Sequence, residues 1–267
     1  RERHPERFFD VGIAEAHAVC FAAGLASAGL KPVVALYSTF LQRTYDQIME
    51  DVALQNLGVV FAIDRAGVVG EDGMTHQGIF DIAYLRSIPR LVIMAAKDAP
   101  EFRQMLELAF GLGLPVAIRY PKSIAPDKIP SVKECPLELG KAEVLKEGKD
   151  FCLIALGSMV WPAQEAMAIL EMEGLEGTLV NARFAKPLDS GLFRALAAKH
   201  KFIFSIEEGI IESGFGSAVS EAIGVAVNRF GLPLDFLPHG KRELLLEKAG
   251  LTPQAIARKV QETIKNG

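Results

Sequence analysis

Short apolar runs alternate with longer helix-compatible stretches along almost the whole chain, and this alternation constrains the fold most strongly. In the first half, stretches such as 15–29 and 44–56 have the length and composition of helices. The intervening runs, which we predict to be strands, are RFFDV (7–11), PVVAL (32–36), VVFAI (59–63), LVIM (91–94) and PVAIR (115–119). This rhythm is typical of a parallel sheet covered by helices on both faces.

A proline-rich stretch, residues 120–140, interrupts the rhythm and has no apolar periodicity, so it indicates a linker. Beyond it we predict strands at 151–156, 177–181 and 201–206, and helices from about 162, near 190–199, near 214–230 and at 252–265. We therefore predict an α/β protein of two domains, each a mostly parallel sheet flanked by helices. The predicted boundaries are 1–122 for the first domain, 123–140 for the linker and 141–267 for the second domain.

Composition narrows the class of protein. The chain has 267 residues, half of them hydrophobic, and a net charge of −4 with scattered basic residues, so it can bury full-sized cores and has no nucleic-acid footprint. No apolar run is long enough to span a membrane, and the charged opening RERHPERFFD has no signal-peptide pattern. Cys20, Cys135 and Cys152 are widely spaced, which predicts a reducing, cytoplasmic environment and neither a metal site nor a disulfide framework.

Polar residues collect where the predicted strands end. Because the carboxyl ends of parallel strands meet at one edge of a sheet, ligands bind there. Arginine suits phosphate, so several cations at this edge predict a phosphorylated ligand, although no P-loop or dinucleotide fingerprint is present. Asp10 and Glu15 follow the start of the first predicted strand, 7–11. Tyr37, Ser38, Phe40 and Arg43 follow the strand 32–36. Arg119, Tyr120 and Lys122 lie at the end of the strand 115–119 and just after it.

The stretch DRAGVVGEDGMTHQG, residues 64–78, follows the strand predicted at 59–63. It is too glycine-rich for a helix and too polar for a strand, and its glycines permit sharp turns. Long ordered loops are uncommon and usually functional, so we predict a functional loop. In the second half, IEEGIIESGFG (206–216) is the only comparable turn.

Structural roles also fit several of these residues individually. An acid near the start of a helix, such as Glu15, favours the helix dipole. Arg43 fits a solvated or ion-paired side chain. The other residues with a structural alternative are Tyr37 and Phe40 as core aromatics, and His17 and His76 as packing histidines.

Several longer stretches resemble a known family. FFDVGIAEAHAV, YSTFLQRTYDQIMEDVALQ, AIDRAGVVGEDGMTHQGIFDIAYLRSIP and IRYPK resemble the pyrimidine-binding domain of the transketolase-like 1-deoxy-D-xylulose-5-phosphate synthases, and RFAKPLD and SGFGSAV resemble a transketolase C-terminal domain. The resemblance covers essentially the whole chain and is most specific at 64–78. It implies a dimeric transferase that uses thiamine diphosphate and Mg²⁺. The implied reaction joins pyruvate to D-glyceraldehyde 3-phosphate with loss of CO₂, giving 1-deoxy-D-xylulose 5-phosphate for isoprenoid and thiamine biosynthesis.

The resemblance also assigns roles residue by residue. Glu15 corresponds to the acid that hydrogen-bonds the aminopyrimidine and favours the imino tautomer, whose nitrogen removes the C2 proton of the thiazolium. Phe40 corresponds to the residue that packs on the pyrimidine. Asp72 and His76 correspond to catalytic residues near the reacting carbon. The residues that correspond to the phosphate-binding set are Tyr37, Arg43, Arg65 and Lys122.

Three departures qualify these implications. Ala16 stands where the family usually has Gln, and Lys122 stands where Arg is common, which keeps the charge but loses the two-pronged grip. The family binds diphosphate and Mg²⁺ through a GDG motif and a later Asn, and no such domain is present in this sequence. The chain therefore corresponds to the last two domains of a larger enzyme, with no metal ligands of its own, and we expect it to be inactive alone.

Two other classes of protein remain open. The first is the small subunit of a split transketolase or a 2-oxoacid dehydrogenase E1 β-type subunit, and the full loop with Arg65 argues against both. The second is a non-catalytic interaction module, against which Glu15, Asp72 and His76 argue. For the synthase, we expect a bacterial cytoplasm or a plastid stroma, small-molecule substrates, and no membrane or nucleic-acid partner.

Overall fold

In the part of the chain that the structure describes, two five-stranded sheets form the framework. The computed structural model describes residues 2–124 and 136–267. The strands are β1 Val33–Tyr37, β2 Val60–Asp64, β3 Val92–Ala95, β4 Val116–Arg119, β5 Glu143–Lys146, β6 Phe151–Ala155, β7 Gly177–Asn181, β8 Phe184–Lys186, β9 Ile203–Ile210 and β10 Asn228–Leu232. The first sheet has the order β1-β2-β4-β3-β8, and the second has the order β10-β9-β6-β7-β5.

Helices cover both sheets and connect the parallel strands. They are α1 Glu15–Ser27, α2 Ser38–Leu41, α3 Tyr45–Gln47, α4 Asp81–Leu85, α5 Ala99–Leu112, α6 Val160–Met172, α7 Ser190–Lys199, α8 Phe215–Ile223, α9 Arg242–Lys248 and α10 Pro253–Asn266. α2 and α3 belong to one continuous helical stretch that closes with a π-helix over Ile48–Ala53. In the part of the chain that the structure describes, no helix is both long and apolar enough to cross a membrane.

The predicted fold class is confirmed. β1 to β4 pair in parallel, so their carboxyl ends share one edge of the first sheet. β3 and β4 are buried along their whole length, as expected for parallel strands covered on both faces. Each sheet also has one antiparallel strand, β8 in the first and β5 in the second, and the sequence pattern did not indicate either of them.

Three local predictions are wrong. No strand forms at RFFDV, because Arg7 belongs to a 3₁₀ turn over Pro5–Arg7 and Phe8 N–H donates back to the Pro5 carbonyl oxygen. Phe8 and Phe9 are 48% and 56% exposed. The helix predicted to reach 230 ends at Ile223, because Gly224 turns the backbone with φ +71° and β10 follows. The turn predicted at 206–216 begins only after Ile210, because β9 continues to that residue.

The predicted linker and domain boundaries stay a prediction. Residues 125–135 of that linker, and Cys135 with them, lie outside the described residues. The two other cysteines are free thiols: Cys20 is exposed and Cys152 is buried.

The two sheets are joined by a strand and by buried charge. β8 follows β7 of the second sheet, yet it pairs antiparallel with β3 of the first sheet. Next to this pairing, the guanidinium of Arg183 donates to Glu101 at 3.0 Å and contacts Glu143 at 3.1 Å. Lys97 contacts the same two carboxylates at 3.0 and 3.1 Å. These contacts fix the second sheet against the edge of the first.

Candidate active site

The carboxyl ends of β1, β2 and β4 bring most of the predicted site residues together. β1 leads directly into α2, β2 ends at Asp64 where the loop 64–78 begins, and β4 leads into Tyr120 and Lys122. The three strands are neighbours in the sheet, so their ends lie side by side. The site therefore follows from the order of the strands.

A layered stack forms the centre of this edge. The rings of Tyr37 and Phe40 stack with centroids 5.1 Å apart and planes 20° apart. The guanidinium carbon of Arg65 lies 3.8 Å from the centroid of the Tyr37 ring, a cation–π distance. On the other side, His76 meets Phe40 edge-on at 5.4 Å. Both aromatic rings are half-buried, so they are not core aromatics.

Asp72 links the cations of the site. Its carboxylate accepts from Arg65 Nε at 3.2 Å and from Lys122 Nζ at 2.6 Å. Arg65 also pairs with Asp64. The hydrogen bond from Lys122 lowers the pKa of Asp72 against a smaller opposing effect of desolvation, and Arg65 lowers the pKa further. Asp72 is therefore a carboxylate that accepts hydrogen bonds, and it offsets charge on both cations.

Glu15 lies in the first turn of α1 and is buried. Its Oε2 atom is 3.7 Å from Arg43 Nη1, which is an ion-pair distance but not a hydrogen bond. Within residues 2–124 and 136–267, no hydrogen bond reaches this carboxylate. A buried acceptor in this state is suited to a donor from a ligand. The Arg43 side chain is 73% exposed, so it can also reach a ligand from solvent.

The loop 64–78 is ordered and closed at its base. Gly67 and Gly78 exchange two backbone hydrogen bonds, of 2.6 and 2.8 Å. Between them, two short 3₁₀ turns, Gly70–Asp72 and Met74–His76, are separated by Gly73 with φ +90°. These turns bring Asp72 to Arg65 and His76 to the Phe40 ring, and the Thr75 hydroxyl lies 2.9 Å from His76 Nδ1. His17 lies elsewhere, stacked on Phe21 of the same helix.

Sequence reasoning missed the contribution of the second sheet. Glu207 and Glu208, in the second half of β9, are both 1% exposed and lie at the junction of the two sheets. Glu208 accepts a hydrogen bond from Val68 N–H in the loop. The turn prediction at 206–216 flagged this segment, but only the folded β9 shows that its carboxylates point inward.

Glu207 occupies a different environment from Glu208. Its carboxylate accepts from the backbone N–H groups of Phe215 and Gly216, both at 2.7 Å, at the start of α8. Burial nevertheless dominates and raises the pKa of Glu207 to about 7, although these hydrogen bonds oppose the shift. A proton on this carboxyl is thus retained into the neutral range.

A cavity of about 390 Å³ lies between the sheets, beside the site. It is lined largely by aromatic and aliphatic side chains, and Arg242 and Ser158 are among its polar lining residues. Its lining includes Phe102, Tyr120 and Trp161. Among the described residues, no group of three or more His, Cys, Asp or Glu side chains could hold a metal ion.

Comparison with known proteins agrees with this architecture. Residues 1–128 match the transketolase pyrimidine-binding domain, and residues 140–256 match the transketolase C-terminal domain. A solved structure described as a split gene transketolase, inactive beta4 tetramer, superimposes with a TM-score of 0.90 at 32% identity, over 99% of this chain and 86% of that one. A transketolase mutant from Pichia stipitis, at 19% identity and TM-score 0.76, shares the fold. The chain belongs to the transketolase family.

Among curated proteins, the chain is similar to 1-deoxy-D-xylulose-5-phosphate synthases. It is 51% identical to the synthase of Pelotomaculum thermopropionicum over 97% of its length and 50% identical to that of Gloeobacter violaceus over 99%. The chain spans 42% of the length of each of these relatives.

The environment of Glu207 generates a prediction about pH. In the folded state its pKa of about 7 exceeds the ordinary value of 4.5, so its stabilising contribution is fully present below pH 4.5 and is lost as the pH rises through 7. The difference corresponds to roughly 3 kcal/mol. We expect Glu207→Gln to flatten the pH dependence of the free energy of unfolding across this window.

The measurement is urea unfolding at about pH 5 and about pH 8 for the wild type and Glu207→Gln. The exposed Glu212, five residues along the chain, supplies the matched control Glu212→Gln, which should keep the wild-type slope. Identical slopes for the wild type and Glu207→Gln would contradict the assignment.

Proposed function

We propose that this chain provides the pyrimidine-binding and C-terminal domains of a 1-deoxy-D-xylulose-5-phosphate synthase. The proposed reaction is the thiamine-diphosphate-dependent condensation of pyruvate with D-glyceraldehyde 3-phosphate, with loss of CO₂. The observation that carries the proposal is the packing of the loop residues Arg65 and His76 against the Tyr37–Phe40 stack. The 51% identity to a named synthase over nearly the whole chain supports it.

Glu15 and Phe40 fit the pyrimidine of thiamine diphosphate. The buried Glu15 carboxylate has an open acceptor position for a ring N–H, and Phe40 offers a half-buried aromatic ring. Bound thiamine diphosphate supplies the carbon nucleophile that decarboxylates a 2-oxo acid. In this proposal Glu15 orients the cofactor and holds a proton at its ring nitrogen. The diphosphate and Mg²⁺ are bound by residues outside this chain.

The cations of the site fit the phosphate of the acceptor aldehyde. In the proposal, Tyr37, Arg43, Arg65 and Lys122 bind this phosphate. Asp72 already pairs with Arg65 and Lys122, so an incoming phosphate competes with Asp72 for both side chains. Displacement of Asp72 toward the reacting carbon would place a hydrogen-bond acceptor near the substrate hydroxyls, beside His76.

A second candidate is a subunit of a split transketolase. The solved split gene transketolase has nearly the same extent as this chain, since 86% of it is covered. The two functions differ in the donor: the synthase releases CO₂ from pyruvate, whereas a transketolase transfers a two-carbon unit from a ketose. Assay of the full-length protein with each donor separates the candidates. We place the synthase in a bacterial cytoplasm or a plastid stroma, supported by the scattered cysteines.

We further propose that the full-length protein is a homodimer that associates through α1 and the helical stretch after β1. Ile13, just before α1, is 88% exposed, and α1 presents small and apolar side chains on several faces. Ile13→Asp should weaken the dimer, measured by sedimentation at micromolar concentration. Met172→Asp, at a 90% exposed position on α6, is the matched control and should leave the dimer intact. A wild-type monomer would refute the proposal.

Replacement of Glu15 tests the cofactor role. In the full-length protein, Glu15→Gln should keep the fold and lower kcat by roughly 10²- to 10⁴-fold, because a positioned acid–base group contributes that much. The measurement is CO₂ release from pyruvate in the presence of the aldehyde phosphate. Glu107→Gln, an exposed change on α5, is the control and should retain activity. Near-normal kcat in Glu15→Gln would remove Glu15 from the mechanism.

Replacement of the arginines tests the phosphate site. Arg43→Ala and Arg65→Ala should each raise KM for D-glyceraldehyde 3-phosphate by roughly 10- to 150-fold, because a hydrogen bond to a charged group is worth about 1.5–3 kcal/mol. KM for pyruvate should change little. Lys122→Arg should be mild or should lower this KM, because it restores the two-pronged grip.

Non-phosphorylated D-glyceraldehyde is the control substrate. The arginine variants should lose little with it, and equal losses with both aldehydes would assign the arginines to the fold or the cofactor. Asp72→Asn sharpens the test: it removes the competing charge, so binding of the aldehyde phosphate should tighten while turnover falls.

A further inference from the structure

We propose that Glu208, from the second sheet, is a positioning residue that holds the loop 64–78 in its catalytic arrangement. This inference rests on the proposed function. Glu208 Oε1 accepts a hydrogen bond of 2.7 Å from Val68 N–H, between Arg65 and Asp72 in the sequence. Its Oε2 atom accepts from Ser158 Oγ at 2.7 Å and from Arg242 Nη2 at 2.6 Å. Both carboxylate oxygens are therefore engaged, one by the loop and the other by the second domain.

The loop is shaped to admit this carboxylate. A Cβ atom added to Gly67 would lie 2.5 Å from Glu208 Cδ and Oε1, and Gly67 has φ +87°. A Cβ added to Gly70 would lie 2.7 Å from the backbone nitrogen of Arg242 and 2.8 Å from the carbonyl oxygen of Gly240. Two glycines of the loop thus allow contact between the loop backbone and the second domain.

The backbone of Glu208 is itself fixed to the first sheet. Arg119, buried at the end of β4, donates from Nη2 to the Glu208 carbonyl oxygen at 3.1 Å. The same guanidinium forms a two-pronged pair with Asp81 at 3.0 and 3.1 Å. In addition, Ile210 N–H donates to the carbonyl oxygen of Ile79, one residue beyond the loop. These contacts fix both the backbone and the carboxylate of Glu208, so the position of the second sheet determines the position of the loop.

The Glu208 anchor affects the positions of Arg65 and Asp72, which face the substrate in the proposed function. Val68 lies three residues after Arg65 and four before Asp72, so it anchors the segment that connects them. Catalytic groups displaced by about 1 Å can lose up to about 10²-fold in rate. Loss of the Glu208 anchor should thus impair acceptor binding and turnover, although its carboxylate acts through Val68, Ser158 and Arg242.

The first test needs no catalysis and uses the 267-residue chain. Hydrogen exchange at the Val68 amide should accelerate roughly tenfold or more in Glu208→Ala, because a charge-assisted hydrogen bond is lost. Glu208→Gln keeps the shape and a neutral acceptor, so it should show a smaller acceleration. Exchange in β6 should match the wild type in both variants. Unchanged exchange at Val68 in Glu208→Ala would overturn the proposal, whatever reaction the protein catalyses.

The second test uses the full-length protein. Glu208→Gln should raise KM for the acceptor aldehyde and lower kcat by roughly 3- to 100-fold in total, while KM for pyruvate stays near the wild-type value. Glu212→Gln, exposed and four residues along the chain, is the control and should be silent. A purely structural role would instead lower the melting temperature and the active fraction while leaving both KM values unchanged, and that result would overturn the proposal. Absence of synthase activity in the wild type would refute the proposed function alone, because the exchange result stands independently.

Discussion

The buried charge cluster between the sheets is the interaction on which the remaining structure depends. Two carboxylates, Glu101 and Glu143, face two cations, Lys97 and Arg183, and Asn181 donates to both carboxylates. Removal of one member of such a buried set leaves an uncompensated charge, which typically costs about 3–5 kcal/mol. Lys97 and Glu101 belong to the first domain. Glu143, Asn181 and Arg183 come from the second sheet and the segment that leaves it. The cluster therefore allows one relative arrangement of the two domains and penalises others.

That fixed arrangement explains why a loop of the first domain can rely on side chains of the second. β8 pairs with β3 beside the charge cluster, and β9 then delivers Glu208 to the base of the loop. A rotation between the sheets would separate the Glu208 carboxylate from Val68 N–H, since a hydrogen bond tolerates only a few tenths of an ångström. The C-terminal domain thus contributes to the site by holding the base of the loop 64–78 in a fixed position.

Much of this organisation could be predicted from the sequence, for identifiable reasons. Four parallel strands and the loop at 64–78 follow from apolar runs bounded by turn residues, and strand order alone then brings Tyr37, Arg65 and Lys122 to one edge. The pairing of β8 could not be predicted, because three residues carry no periodicity and the partner strand is about 90 positions away. The burial of Glu208 could not be predicted either, since two acidic residues directly after the predicted strand 201–206 normally indicate a turn. RFFDV shows the converse error: a local strand pattern was overridden by the 3₁₀ turn that Pro5 starts just before it.

The charge balance of the site gives a final constraint on how it operates. Arg65 and Lys122 are each paired with Asp72, and Arg65 also pairs with Asp64, so these four groups sum to no net charge. A preformed phosphate site would present unpaired cations. Here the cations Arg65 and Lys122 are already paired with Asp72, which belongs to the loop 64–78. Under the proposed function, the phosphate dianion of the acceptor would bind Arg65 and Lys122 in exchange for Asp72. Asp72 lies between Gly70 and Gly73, which both have positive φ angles. Its proposed release would therefore change the loop locally, while the hydrogen bond from Val68 N–H to Glu208 keeps the base in place. Under the proposed function, the loop base anchored at Val68 and the exchangeable counter-ion Asp72 act together, so that acceptor binding and the placement of Asp72 are coupled.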